Sequence, residues 1–271
     1  MNKIITFFFL VFLLTPVLYG QKDKDPEIQK KIAFADYLFN TQQYEFAAEE
    51  YLKLIYSYPD NPYLKKKALE SYRLNNNYES GIYFSKKFFD PRDSSSIKFY
   101  PEIVKLRLAA RLPVLAGGVM VDSSEFRDWY HESLLLDYMM SLQWDEVHQN
   151  ANKIRYSELY QFTRNTPDNY YLSPFLAGTM SAIIPGTGKF YAKRWKDGIS
   201  SLLFVGLTAF QSYRGFHKNG VESVYGWIMG GLSFSFYLGN VYGSVKAAKD
   251  YNHNLNEKYK ENIVDFYMDH Y

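Results

Sequence analysis

The apolar and small side chains between residues 32 and 61 fall at Ala35, Leu38, Tyr44, Ala47, Tyr51 and Leu54. Steps of three and four place them on one helical face, with a turn after Phe39 and a stop at Pro59-Asp60-Asn61. The series returns 34 residues further on, where Tyr72 stands for Leu38, Tyr78 for Tyr44, Gly81 for Ala47 and Phe88 for Leu54. A third copy runs through Leu135, Tyr138, Trp144, Val147, Ala151 and Ile154. This pattern predicts antiparallel helix pairs. One helix of each pair needs a small residue, Ala47 or Gly81, where its neighbour crosses closely, and a large ring such as Tyr44, Tyr78 or Trp144 fills the space beside it. A single pair cannot bury its apolar face alone, so the pairs must stack. Residues 97–131 then supply the intervening helices, with 100–112 helical and 113–124 a loop.

The 34-residue period and the first unit's Tyr44-x-x-Ala47-x-x-x-Tyr51 core with Pro59 resemble the tetratricopeptide repeat family. The second unit departs from the family pattern, with Ser85 where a large aromatic is expected. The resemblance implies a solenoid over residues 27–165 whose concave surface takes peptide segments of protein partners, a binding scaffold and not a catalyst. A plain helical spacer is the other reading, since fold alone does not dictate function.

After Pro167-Asp168-Asn169 the pattern changes. Residues 172–188, 198–213 and 223–245 carry no charge. The third stretch reaches the ~20 residues that span a bilayer and the first two fall just short. Gly226 and Gly230, then Gly239 and Gly243, stand four apart and permit close helix contact. The expected fold is all-α: a helical-hairpin repeat solenoid, then a transmembrane helical hairpin or three-helix region over 172–248, then a polar tail over 249–271. With three crossings, Lys189, Lys193, Arg194 and Lys196 lie inside, Arg214 and Lys218 outside, and Lys246 and Lys249 inside, which satisfies the positive-inside rule. A re-entrant first segment, broken at Pro185, is the alternative and leaves two crossings.

The densest motif is Ser181-Ala182-Ile183-Ile184-Pro185-Gly186-Thr187-Gly188-Lys189-Phe190-Tyr191 followed by Lys193-Arg194-Trp195-Lys196-Asp197-Gly198. It is not a phosphate loop: Ile183 stands where the first glycine is required, and Phe190 where Ser or Thr is required. It resembles a set of small bacterial membrane domains of unknown function built around Pro-Gly-x-Gly-x-x-Tyr, and the resemblance extends through Tyr237-Leu238-Gly239-Asn240-Val241-Tyr242-Gly243-Ser244. Pro185 ends a helix, Gly186 and Gly188 supply a tight turn that visits positive φ, Tyr191 and Trp195 anchor at the interface, and Lys193, Arg194 and Lys196 face lipid phosphates. Asn240 is the polar side chain at depth and is expected to glue helices.

Residues 1–20, with Lys3, an apolar run and Gly20, read as a cleaved secretory signal. The chain is thus expected at the inner membrane with its repeats exported. A net charge of +2 with 22% charged residues argues against nucleic acid as a partner. The absence of cysteine removes disulfides, thiolate zinc sites and a thiol nucleophile. His131, His148, His217, His253 and His270 fall in no metal-ligand spacing, and Asp122, Glu125 and Asp128 read as helix-start charges beside the cap candidates Ser123 and Ser124. No catalytic residue, metal or cofactor is expected. The expected function is a membrane-anchored scaffold binding protein partners and lipid; the alternative is an accessory factor acting on lipid or on membrane-protein insertion.

Overall fold

The computed structural model describes residues 26–90, 98–115, 124–155 and 157–271. The expected signal over 1–20, with Asp122 and Ser123, lies outside them. Among the described residues there are helices and no strands: α1 Pro26–Asn40, α2 Tyr44–Ser57, α3 Pro62–Leu74, α4 Tyr78–Phe88, α5 Tyr100–Ala109, α6 Ser124–Met140, α7 Trp144–Asn150, α8 Tyr160–Arg164, α9 Pro174–Ile183, α10 Thr187–Tyr191, α11 Trp195–Asn219 and α12 Val224–His270. The chain divides into two compact units after Arg127, within α6.

In the first unit α1 pairs with α2 and α3 with α4, while α2 also packs on α3 and α5 on both α3 and α4. Ala35, Leu38, Ala47, Tyr51 and Leu54 are all buried, together with Ile55, Leu64, Ala68 and Leu69. Gly81 marks a close crossing: a Cβ there would lie 2.8 Å from Leu106 of α5 and 3.1 Å from Tyr72. Tyr44 meets Phe39 edge-on at 5.5 Å, and Tyr72 lies 6.0 Å from Phe84. Ser85 is buried with its hydroxyl returned to Ile82 O at 2.8 Å. Asp36 clasps the first three helices, accepting from Tyr51 at 2.6 Å and Tyr63 at 2.7 Å. Burial and then this hydrogen bond push Tyr63 up to about 12 and raise Tyr51 further still. Glu102, also buried, takes Arg73 at 3.2 Å.

The helix pairs turn by one device. Gln42, Asn76, Arg111 and Leu142 each hold a positive φ of 54 to 62° just past a helix end. The next N–H returns to a carbonyl five residues back, Gln43 to Leu38, Asn77 to Tyr72, Leu112 to Arg107 and Gln143 to Tyr138, each at 2.9 Å. This is the Schellman closure, which satisfies carbonyls that the helix end would leave open. Asn61 and Asn77 then cap α3 and α4 through their side chains.

The second unit departs from expectation in three places. The third repeat is cut short: α7 has seven residues and Ala151–Ile154 is a 3-10 turn. Leu135, Leu136, Met139, Val147 and Ile154 are buried, whereas Tyr138 and Trp144 are half-buried. Trp144 packs edge-on against Tyr259 of α12 at 5.3 Å and donates to Tyr171 at 3.1 Å. The segment 249–271, expected as a polar tail, continues α12 to His270 and buries Tyr259, Ile263 and Tyr267. At 47 residues α12 is about 70 Å long.

The first expected crossing is not a spanning helix. α9 has ten residues, about 15 Å, and ends before Pro185, after which α10 turns back. Leu172 N donates to Asn252 at 2.8 Å while Ala182 lies at Tyr237, so α9 runs antiparallel along α12. Among the described residues no helix is long and apolar enough to cross a membrane. The uncharged parts of α11 and α12 are diluted by Gly, Ser, Tyr and Asn.

Candidate functional site

Pro185 breaks α9, and the broken ends are repaired from α12. In an unbroken helix the Ser181 carbonyl would accept from residue 185, but proline has no N–H. Asn240 takes that place, donating through Nδ2 to Ser181 O at 3.2 Å. Its Oδ1 accepts from Gly186 N at 3.0 Å, a donor freed by the same break. The Ala182 carbonyl, which Gly186 would otherwise serve, accepts from the Tyr237 hydroxyl at 2.8 Å. Ser181 Oγ accepts from Gly188 N at 2.8 Å and donates to Ser244 Oγ at 2.7 Å, whose own proton goes to Asn240 O at 2.8 Å. Asn240, Ser181 and Ser244 are all buried.

The two glycines serve different ends. Gly186 holds φ +92°, and a Cβ there would also run into the Gly198 carbonyl of α11. Gly188 was expected to need a positive φ; instead it sits where a Cβ would strike the Ala177 carbonyl of α9, so its role is close approach. The left-handed residue of the following turn is Lys193, φ 61°, with Arg194 N closing back to Lys189 O at 2.8 Å. That is the closure used in the repeat turns. Tyr191 accepts from Ser173 N at 3.1 Å, tying α10 to the start of α9. Lys193 and Arg194, expected to face lipid, are held by α12: Lys193 donates to Tyr251 at 3.2 Å and Arg194 pairs with Asp250 at 3.0 Å. Trp195 stays exposed, with Lys196 over its ring.

Beyond this turn α11 and α12 form a hairpin closed at Gly220–Glu222. Gly226 and Gly230 lie in its seam: a Cβ on Gly215 would come within 2.8 Å of Gly226, and one on Gly230 within 3.0 Å of Ser212. Gly243 sits under Lys189, while Gly239 faces open space, so the four-apart glycines do not share one packing face. The outer faces are apolar and uncovered, with Leu207 60%, Phe234 62% and Tyr242 73% exposed. Hydroxyls along the hairpin return to its own carbonyls: Thr208 to Phe204, Ser212 to Gly226, Ser233 to Val205 and Ser235 to Gly231.

In the first unit, Leu52 and Tyr56 of α2, Tyr72 of α3, and Tyr83, Phe84 and Lys87 of α4 line a groove of about 330 Å³. Tyr56 and Tyr83 are largely exposed beside it. Among the described residues no cluster of three or more His, Asp or Glu could hold a metal ion. The polar network at Asn240 has its hydrogen bonds made within itself and is suited to holding a re-entrant turn. Compared with family models, with curated proteins and with solved structures, the chain matches none of them.

Sequence reasoning named Ser181, Pro185, Gly186 and Gly188 in one motif and carried its resemblance through Tyr237, Asn240 and Ser244, but it gave Ser181, Tyr237 and Ser244 no role, and these complete the network. Their signal was available. Tyr237, Asn240 and Ser244 stand three and four apart, one polar stripe on an otherwise apolar helix.

Proposed function

We propose that this protein is a membrane-anchored repeat scaffold: the α11–α12 hairpin enters the bilayer, and the repeats, exported behind the N-terminal signal, bind protein partners beside it. The observation that carries the reading is the hairpin's uncovered apolar surface. Isolated exposed hydrophobics are ordinary, but a continuous belt of this extent on two paired helices marks a membrane or partner surface. The mean hydropathy of these helices is lowered by Ser, Gly, Tyr and Trp, none of which carries charge. The hydroxyls already bond helix carbonyls, so they present little polarity to lipid. Every backbone group in a helical hairpin is satisfied internally, as lipid demands.

Two crossings put both flanks of the hairpin on one side. The rule counting lysine and arginine governs short loops, whereas long preceding domains translocate largely regardless of charge. An exported repeat region therefore carries residues 189–196 and 246–249 to its own side of the membrane, with Arg214 and Lys218 opposite. The 34-residue repeats and the aromatic groove between α2 and α4 support partner binding, since exposed tyrosines are strong anchors at interfaces.

The test is fractionation and capture with the full chain. It is expected in the carbonate-washed membrane pellet, and cross-linking should recover specific proteins that Tyr56→Ala with Tyr83→Ala loses while the melting temperature holds. Full release into the supernatant removes the anchor. Unchanged capture by the double variant removes the groove as the binding surface.

A further inference from the structure

We infer that the base of the α11–α12 hairpin is a docking surface for anionic phospholipid headgroups, an inference that rests on the membrane reading above. Lys189 sets the levels along the hairpin. Its ammonium donates to Ser201 of α11 at 2.6 Å, and its Cε lies 3.2 Å from where a side chain on Gly243 of α12 would begin. Ser201 and Gly243 therefore stand at one height. On the side away from the tip come Lys196 on α11, Lys246 and Lys249 on α12, and Lys193 and Arg194 in the turn before α11; all five are exposed. Toward the tip there is no charge before Arg214 on α11, and none on α12 back to Glu222.

From the tip to Gly243 α12 rises about 28 Å without a charge, close to the ~30 Å hydrocarbon layer. On α11 the uncharged run from Ser201 ends at Arg214, about 20 Å on, and the long stems of Arg214 and Lys218 reach to the far interface, so a spanning hairpin sets the base cations at headgroup height. The exposed rings of Trp195 and Tyr242 flank the same level, where amphipathic aromatics settle.

The charge is lopsided. The base holds Lys189, Lys193, Arg194, Lys196, Lys246 and Lys249 against Asp197 and Asp250, whereas the tip holds Arg214 and Lys218 against Glu222. Insertion of an apolar hairpin into zwitterionic lipid needs no such excess. Anionic headgroups are the chemistry that answers it. The base is also a fixed frame: the Schellman closure at Lys193, the Lys193–Tyr251 contact and the Arg194–Asp250 pair brace the turn against α12. Lys196, Lys246 and Lys249 take no part in those three contacts and project from the braced frame.

The experiment uses the full chain reconstituted into vesicles of phosphatidylcholine, with or without phosphatidylglycerol, and measures the lipids retained when the protein is cut out in polymer-bounded discs. Wild type should enrich phosphatidylglycerol over its bulk share, by up to about fivefold per free lysine at low salt and less as salt is added. Lys196→Gln with Lys246→Gln and Lys249→Gln should bring the ratio to the bulk value with unchanged helical content, and the corresponding triple arginine variant should keep the enrichment. A wild type at the bulk ratio, or a glutamine variant that enriches equally, overturns the docking surface and leaves the anchor standing. A chain that remains in the aqueous phase with both vesicle types overturns the anchor and this inference together.

Discussion

Replacing Asn240 by Leu should be among the most damaging single changes in the second unit, because it strips two repairs from the helix break at Pro185. The leucine has the same branched arrangement of four side-chain heavy atoms as asparagine but offers no donor and no acceptor. It would leave Gly186 N–H and the Ser181 carbonyl buried without the partners they have at 3.0 and 3.2 Å. Each buried group deprived of its partner costs about 1 to 3 kcal/mol, so the loss should be about 2 to 6 kcal/mol. Tyr237→Phe removes one donor from an exposed carbonyl and should cost less, about 0.5 to 1.5 kcal/mol. The assay is thermal unfolding of the full chain in mild detergent. Limited proteolysis should also show early cleavage near residues 184–187. Pro185→Ala supplies the N–H that the Ser181 carbonyl lacks, so it should recover part of the loss in the Asn240→Leu background and little in wild type. An Asn240→Leu chain that melts with wild type, or a proline substitution with the same effect in both backgrounds, would refute the repair.

At Leu142, a bulky residue held at φ 61°, glycine relieves left-handed strain: Leu142→Gly should gain about 0.5 to 1 kcal/mol, seen as a rise of about 2 to 4 °C in melting temperature. A fall would show that the leucine side chain outweighs its backbone. Single cysteines at 196 and 218, in a chain with none of its own, should label from opposite faces, 196 with an impermeant periplasmic reagent and 218 only after permeabilisation. Equal labelling from one side would rule out the crossing hairpin. Tyr51 and Tyr63 keep their protons in the folded state above the ordinary value of 10.0, so their stabilisation is complete below about pH 10 and is lost as pH climbs through about 12. Alkaline melting of the first unit should show that limb, and Tyr51→Phe with Tyr63→Phe should flatten it.

The repeat helices were legible because a packing face writes itself into spacing. Ala35, Leu38, Ala47, Tyr51 and Leu54 are buried as the steps of three and four require, and Gly81 stands at a helix crossing. What closes those helices was not legible. A left-handed residue after a helix announces itself when it is glycine or asparagine, as at Asn76, but here the other positions are held by Gln42, Arg111, Leu142 and Lys193, residue types that sequence reading assigns no special backbone. Their period was present all along, with Gln42 and Asn76 the same 34 residues apart as the packing faces.

The region proposed to enter the membrane shows a different limit. Counting uncharged residues gave three segments, because length in sequence was taken as length in space. Pro185 and Gly186 fold the first segment back on itself within ten residues of helix, so only the second and third segments form long helices. On the proposed membrane reading that change reverses the sidedness of the basic cluster, since an even number of crossings returns the chain to where it began. The positive-inside pattern that made three crossings attractive is therefore better explained as a property of one face: Lys196, Lys246 and Lys249 gather at one height because α10 brings Ser201 and Gly243 level through Lys189. On the proposed reading, charges brought together by folding answer to the lipid at that height. They do not report the path by which the chain arrived there, and reagent access at positions 196 and 218 measures that path directly.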